Sequence, residues 1–406
     1  MYLAFKYKLK PTKEQEKSLA QYVGSCRFLW NYFLGLNQVE YKLNKKFIFK
    51  HEMITSLPKL KQELLWLDDV PSQSLQQRLI DLEKAIKSCY RNSFGFPKFK
   101  AKHMQSDTFR LPQIPNRKHI TKKQVKIPKL GWVKWKMHRK LDGKLKSITI
   151  KQEGDIWFAI CLCEVADATQ KQITENNIVG LDLGLETFAV LSDAQEINTP
   201  KYYRSKQKKL KQRQRKLSKK KKRSKNREKA KKVVRKIHTK IKNQRHDFTH
   251  KASTVITKQY LFVGVEDLNI AGMKKRFGKS ISDQGWGMFL QQLSYKSLRN
   301  GGKTIKIDRF APSTKTCSNC GEKHDMALGN RQMICSCGLN ISRDLNAAIN
   351  IKKWAIDLVT NTAGTAGIQA CGEKSSGRTS GSMTKLILTK QEKFCILDTE
   401  ATYFSS

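Results

Sequence analysis

Acidic residues are scarce in this chain: 34 Asp and Glu face 80 Lys and Arg, leaving a formal net charge of +46 over 406 residues. A compact body so unbalanced repels itself, and a polyanion is the natural relief, because each neutralised phosphate also releases condensed counterions. A membrane-surface protein or a chaperone of acidic proteins would share the imbalance, but other features are missing for these. No run approaches the ~18 apolar residues of a membrane span. The opening stretch, MYLAFKYKLK, lacks the apolar core of a secretory signal. A cytoplasmic location is therefore expected, where thiols stay reduced. Hydrophobic residues are also few, at 39%, but the deficit is local, and most segments can still build cores. The length allows two or three domains at roughly 150 residues each.

The pattern along the chain changes several times. Residues 2–9 alternate weakly as a short strand, and Thr12 and Gln15 stand at capping-box spacing before a helix. Leu19, Tyr22, Val23, Cys26, Leu29, Trp30 and Phe33 recur at helical intervals on it. A second helix is predicted near 51–65 and a third over 72–91, with Leu75, Leu79, Leu82, Ala85 and Ile86 inward. From Gly95 to about Val165 the period drops to two, in VKIPKL, GWVKWKMHR, LKSITIK and DIWFAICLCEV, with Gly131, Gly143 and Gly154 at the turns. This predicts a small β-barrel or sandwich. Strand 2–9, with no partner among the helices, is expected to join it, so that the helical bundle is an insertion.

Residues 178–192 then read as strand, turn and strand. Residues 201–250 hold 24 Lys and Arg against Glu228 and Asp247 alone. Their sparse apolar positions (Leu210, Leu217, Val233, Val234, Ile237 and Ile241) permit a helical hairpin. A charge run is ordinarily a solvated face or a tail, but this one lies between two strands that look paired, which points to phosphate as its partner. A buried strand is expected at 260–266, a mobile basic loop at 270–284, a helix at 286–298, a strand at 303–310 and a helix at 343–359. The Gly-, Ser- and Thr-rich remainder reads as a flexible tail.

Three acids occupy comparable places. Asp182 closes an apolar strand, Glu266 ends a later one and Asp344 opens a helix, at separations of 84 and 78 residues. Carboxylates at the carboxyl ends of strands converge on one edge of an α/β sheet. An apolar run rarely admits an unpaired charge, because burying one is costly. Hard oxygen ligands suit Mg²⁺ or Mn²⁺, a pair of which can hydrolyse a phosphodiester. Taken singly, each has a plainer reading: Asp182 as a turn cap, Glu266 as the partner of a lysine, Asp344 as a favourable helix-start charge.

Of the ten cysteines, Cys317, Cys320, Cys335 and Cys337 fall within 21 residues, while Cys26, Cys89, Cys161, Cys163, Cys371 and Cys395 are scattered. In a reducing compartment the cluster reads as a metal site and the others, including Cys161 and Cys163 on one strand face, as small core residues. Four thiolates in two halves suit tetrahedral Zn²⁺ in a structural role. The second half is C-x-C rather than C-x-x-C, which tightens that knuckle. His324 lies in the gap as a substitute ligand or a surface residue.

The order of motifs now matters: YKLKPTKEQE and CRFLWN near the start, GFPKFK at 95–100, IPKLGWVK at 127–134, GLDLGLETFAV at 180–190, RHDFTHKAST at 245–254, VGVEDLNIAGM at 263–273, DQGWGMF at 283–289, STKTCSNCG at 313–321 and RDLNAAINI at 343–351. Along nearly its whole length the chain resembles the TnpB (OrfB) proteins of insertion sequences, which are related to type V CRISPR effectors. The resemblance implies a multidomain α+β fold. In it, a helical (REC-like) bundle at 11–100 is inserted in a β-barrel (WED-like) domain at 1–10 and 101–170. A RuvC-like, RNase H-type α/β nuclease domain follows at 171–360, with the basic hairpin at 201–250 and a zinc ribbon at 313–340. The tail is 361–406.

The same resemblance implies an RNA-guided DNA endonuclease whose catalytic carboxylates are Asp182, Glu266 and Asp344, holding magnesium or manganese. The implied partners are a guide RNA from the transposon end and double-stranded target DNA, bound by a monomer that reads a short flanking motif. Expected nucleic-acid contacts are Lys274, Lys275 and Arg276 in the loop at 270–284, the family's lid, and Arg343 at the scissile phosphate or merely exposed at a helix start. Ser72 and Gln76 are expected at base edges. Two rivals remain open: a catalytically silent RNA-guided repressor, and a strand-transferring transposase.

Overall fold

The computed structural model describes residues 1–91, 95–102, 108–113, 119–327 and 329–363; the expected tail beyond 363 lies outside them. Met1–Ala166 form one compact unit, and a second begins at Asp167.

In the first unit β1 (Tyr2–Lys10) is followed by α1 (Lys13–Asn44), α2 (Lys50–Thr55), α3 (Leu57–Glu63) and α4 (Ser72–Arg91). Then come β2 (Thr108–Leu111), β3 (Gln124–Ile127), β4 (Gly131–Lys136), β5 (Lys144–Glu153) and β6 (Ile156–Glu164). The capping box forms as its spacing predicts: Thr12 Oγ1 accepts from the Gln15 N–H, and Gln15 Oε1 accepts from the Thr12 N–H. All seven apolar residues expected on the inner face of α1 are buried, and Leu75, Leu79, Leu82 and Ile86 of α4 are buried in turn. The single helix expected at 51–65 is instead two short ones, α2 and α3, breaking at Ser56. Pro58 explains the break, since it supplies no N–H and suits only a first helical turn.

β1 joins the sheet as expected, pairing antiparallel with β6 on one side and β4 on the other. The strand order is β2-β5-β6-β1-β4-β3, so four helices are spliced between β1 and the remaining strands. A small β-barrel or sandwich was expected; among the described residues the edge strands β2 and β3 carry no ladder to each other. Cys161 and Cys163 lie fully buried on the inner face of β6, as core residues. Gly131, Gly143 and Gly154 take positive φ, the turn conformation glycine admits without strain.

The second unit opens with β7 (Ile178–Asp182), β8 (Thr187–Leu191) and β9 (Glu196–Asn198). The hairpin α5 (Tyr202–Ser218) and α6 (Lys225–Gln259) follows, then β10 (Phe262–Glu266), α7 (Ile270–Gln284), α8 (Trp286–Arg299), β11 (Lys303–Ile307), β12 (Gln332–Ile334), β13 (Asn340–Ser342) and α9 (Arg343–Ala363). Five strands form a sheet in the order β11-β10-β7-β8-β9; β7, β8 and β9 run antiparallel, while β10 and β11 run parallel to β7. Alternation splits the strands between two cores. Val179, Leu181, Val263 and Val265 pack with Ile256, Ile281, Trp286 and Phe289 of α6, α7 and α8. Ile178, Phe262, Ile305 and Ile307 pack with Ile351 and Ala355 of α9.

Two glycines fix how closely α9 lies on that second face. Gly180 and Gly264 are register partners on adjacent parallel strands. A Cβ on Gly180 would stand 2.0 Å from the Ala348 carbonyl oxygen and 2.5 Å from the Lys352 nitrogen; one on Gly264 would meet Ala355 Cβ at 2.9 Å. Helix backbone therefore rests directly on strand backbone.

The segment 270–284, expected as a mobile loop, is the helix α7. Its glycines and cations obscured three helical signals. Asn269 caps the start by accepting from the Gly272 N–H at 2.9 Å. Gly285, at φ 72°, ends the helix, and Ile281 is buried. Asp283, also buried, accepts from the Tyr203 N–H at 2.9 Å and from Arg245 Nη2 at 3.3 Å, tying the end of α7 to α5 and α6.

Candidate active site and thiolate cluster

The glycine contact explains where the three acids go. In a strand, residues two apart share a face, so Asp182 lies on the same side as Gly180, and Glu266 on the same side as Gly264: the α9 side. Asp182 is two residues beyond Gly180, about 7 Å along a strand. Asp344 is four residues before Ala348, about 6 Å along a helix. The two steps match, and Asp182, Glu266 and Asp344 meet at the carboxyl ends of β7 and β10, close enough for each carboxylate to act on Asp182.

Part of Asp182's surface remains open to solvent, yet its carboxyl is ringed by protein atoms. Burial first, then the charges of Glu266 and Asp344, push that carboxyl from 3.8 up to about 7; Arg343 and a backbone hydrogen bond at Leu183 oppose the rise. Arg343 is half-buried, with Nε 3.6 Å from Asp344 Oδ1, so it faces the acids rather than being merely exposed at the helix start. Glu266 accepts a hydrogen bond from the Ser313 hydroxyl.

This pressure has a measurable consequence. Between about pH 4 and 7 the folded, metal-free protein keeps on Asp182 a proton that the unfolded chain has already released, so this group's contribution to stability falls as pH rises through that window and levels off above it. In thermal melts without divalent metal, Asp182→Asn should gain stability relative to wild type steadily from pH 4 to 7. A constant difference between the two across the window would contradict the expectation.

The thiolate cluster is built by two turns of different size. In the first, the Gly321 N–H donates to the Cys317 carbonyl at 3.0 Å; in the second, the Gly338 N–H donates to the Cys335 carbonyl at 3.0 Å. The C-x-C half is thus tighter by one residue, as its spacing predicts, and both glycines take positive φ. The Sγ atoms of Cys317, Cys320, Cys335 and Cys337 all lie within 4.8 Å of one another, with Cys317–Cys337 at 3.6 Å and Cys320–Cys335 at 3.5 Å. Four sulfurs around an ion at about 2.3 Å would stand roughly 3.8 Å apart, so little movement separates this arrangement from a coordinated one. Glu322, His324 and Cys335 make a second group within the same limit. The three carboxylates stand further apart than either group.

Sequence reasoning missed what holds the cluster to α9. Asn346 and Asn350, one turn apart and buried, turn their amides on the segment 313–318. Asn346 Oδ1 accepts from the Ser318 N–H at 2.8 Å and its Nδ2 donates to the Thr316 carbonyl at 2.7 Å. Asn350 Nδ2 donates to the carbonyls of Ser313 at 2.9 Å and Thr316 at 2.6 Å. Two asparagines four apart in the otherwise apolar stretch 345–351 were the available signal, as was the shared Gly-x-acid ending of β7 and β10.

The remaining expected contacts are dispersed. Ser72 is exposed at the start of α4, its hydroxyl taken by Lys61 Nζ at 2.8 Å; Gln76 is half-buried one turn on, and Lys275 is exposed on α7. The side chains of Lys274 and Arg276 lie outside the described residues. On α5 and at its C-cap, Lys208, Lys211, Arg215, Lys216 and Lys219 line one exposed groove with Gln212.

Residues 160–276 match the model of the OrfB family of IS605, described as "Probable transposase". Residues 286–351 match a Cas12f1-like TNB domain, and residues 1–46 a domain described as helix-turn-helix, which here is β1 and the continuous helix α1. An Escherichia coli K12 protein named "Putative RNA-guided DNA endonuclease InsQ" is 33% identical over 397 residues, covering 92% of this chain and 95% of the other. The chain belongs to the OrfB/TnpB family. Another relative, from Streptomyces pristinaespiralis and also named "Putative RNA-guided DNA endonuclease", is 30% identical with 96% of both chains covered. Among solved structures, a Cas12f1–sgRNA–target DNA complex superposes with a TM-score of 0.52 at 14% identity, over 87% of this chain and 98% of that one. OrfB/TnpB architecture in this chain is accordingly the mixed α/β, multidomain fold of Cas12f1. No helix of the described residues is long and apolar enough to cross a membrane.

Proposed function

We propose that this chain is an RNA-guided DNA endonuclease of an insertion sequence, hydrolysing phosphodiesters with divalent metal next to a short flanking motif. The observation that carries the proposal is the convergence of Asp182, Glu266 and Asp344 at one corner of a sheet, in a chain whose net charge is +46. Family membership supports it, and the five-stranded sheet is read as the RuvC-like, RNase H-type domain that the resemblance implies.

A buried carboxyl pressed by two further carboxylates and relieved only in part by Arg343 is a poor resting state for a protein and a good one for a cation. Asp182, Glu266 and Asp344 are the residues that would hold Mg²⁺ or Mn²⁺, hard ions that favour oxygen. Ions held there would supply Lewis-acid chemistry for phosphodiester hydrolysis, by activating water and stabilising a leaving oxygen. The chain's own groups do the rest. Arg343 offsets charge on the phosphate beside the acids, and the α5–α6 hairpin holds phosphate backbones without reading sequence. Ser72 and Gln76 contact base edges of the flanking motif, and Lys274, Lys275 and Arg276 on α7 meet phosphate. The thiolate cluster takes Zn²⁺ as a closed, structural site, the guide RNA supplies sequence recognition, and the partner is double-stranded DNA.

The test is to sequence the RNA that copurifies with the protein and program it, with Mg²⁺, against a target library of randomised flanks. Cleavage beside one enriched motif is expected. Guided binding without any cut would leave a silent repressor, and joining of marked ends by the protein alone would leave a transposase.

The hairpin carries its own expectation. Replacing Lys208, Lys211, Arg215, Lys216 and Lys219 with Gln should flatten the log–log dependence of nucleic-acid affinity on salt by about 3.5–4.5, at roughly 0.7–0.9 per phosphate contact. An unchanged slope would remove this face of α5 from the binding surface.

A further inference from the structure

We propose that Ser313 is a positioning residue for Glu266, held in register with Asp344 by the buried amides of Asn346 and Asn350. The inference rests on the reading of Asp182, Glu266 and Asp344 as a metal site, and adds to it a physical link between the thiolate cluster and that site.

The link can be followed atom by atom. Glu266 ends β10, and its Oε1 accepts from the Ser313 hydroxyl. Ser313 is 3% exposed, so its hydroxyl has no water to turn to and its orientation depends on its backbone. That backbone is held from α9: Asn350 Nδ2 donates to the Ser313 carbonyl at 2.9 Å, with Asn346 Nδ2 at 3.4 Å. The same two amides take the Thr316 carbonyl, Asn346 also accepts from the Ser318 N–H, and Lys353 Nζ donates to the Ser318 carbonyl. Three side chains on one face of α9, at 346, 350 and 353, therefore grip 313–318. That segment runs into Cys317, the first residue of the thiolate cluster. Since Asp344 stands in the first turn of α9, one helix sets both Asp344 directly and Glu266 through Ser313.

A carboxylate that ends a strand keeps rotational freedom that a ligand should not have, because an untethered side chain must be ordered each time an ion binds. A buried donor on one oxygen removes that freedom and leaves the other oxygen to coordinate, the role that outer partners of metal ligands commonly fill. Asn rather than Leu at 346 and 350 has the same logic. These buried side chains would otherwise lie on an apolar helix face, and their amides serve backbone groups that no strand or helix satisfies.

The test uses the full chain with its copurified RNA and reads Mn²⁺ binding by electron paramagnetic resonance, which needs no turnover. Wild type should show a site that Asp182→Ala removes. Ser313→Ala should weaken that site by about 10-fold, and Ser313→Thr, which keeps the hydroxyl, should restore it. Asn350→Ala should weaken it as well, while leaving RNA binding unchanged. Should Ser313→Ala lose its fold in circular dichroism, the Thr variant decides: wild-type affinity supports the link, and weakened affinity overturns it. Wild-type Mn²⁺ affinity in Ser313→Ala also overturns it. Absence of any Asp182-dependent site in wild type would instead overturn the metal-site reading on which it rests.

Discussion

Asp344→Ala is expected to abolish guided cleavage, by at least about 1000-fold, while the protein remains folded and bound to its RNA. The size follows from comparison: losing even an indirect partner of a metal ligand typically costs about 10–100-fold, and Asp344 is proposed as a ligand itself. The accompanying stability change separates this from a damaged fold. Asp344 stands in the first turn of α9, where its charge favours the helix by about 0.3–1 kcal/mol. Against that, its removal relieves repulsion on Asp182, whose carboxyl Asp344 helps push to about 7. The metal-free variant should therefore melt close to wild type at neutral pH. Plasmid cleavage and thermal melting in parallel check both parts. Retained cutting would refute the assignment, and loss of cutting together with collapse of the melt would leave it without support.

Cys320→Ser is the second large effect. Purified protein should contain one equivalent of zinc, and the variant should contain little. Closed four-sulfur sites contribute folding free energy directly, about 10–16 kcal/mol for isolated zinc-finger peptides. Even a modest share of this should lower the melting temperature of the second unit by at least about 5 °C. Cys320 is exposed, so replacing sulfur by oxygen there opens no cavity and the loss reports on coordination. Cleavage should fall too, because the cluster is continuous with 313–318, the segment that α9 grips. Metal analysis and calorimetry decide the matter: an unchanged melt with zinc retained would mean that three thiolates suffice.

Local signals were legible in the sequence, as was the joining of β1 to the later strands; the side-chain contacts that hold 313–318 to α9 were not. The Thr12–Gln15 cap, the period-2 strands with their turn glycines, and the apolar stripe of α1 all follow from neighbours in the chain, and each appears where its spacing predicts. Asp182 and Glu266 could be placed at strand ends for the same reason. The failures have physical causes. Pro58 divided a helix that apolar spacing alone made continuous. Gly272 and Gly278 made α7 look like a loop, although Asn269 and Gly285 cap it as a helix. Asn346 and Asn350 stand out as polar residues in an apolar stretch, but their partners at 313–318 lie about 30 residues away and nothing in the sequence names them. Ser313 enters the sequence reading only as the first residue of STKTCSNCG. That its hydroxyl reaches Glu266 depends on the whole stack of sheet, helix and loop.

The contact of α9 with Gly180 and Gly264 offers a way to tell live copies of such an element from dead ones. Mobile sequences accumulate damage, and intact acids are the usual sign of a working nuclease. Those two positions are a stricter criterion, since a single methyl at Gly180 would stand 2.0 Å from a helix carbonyl and lift the helix that carries Asp344. A relative that keeps all three carboxylates but has a side chain at either glycine is expected to be a decayed copy, silenced without losing a single reactive group.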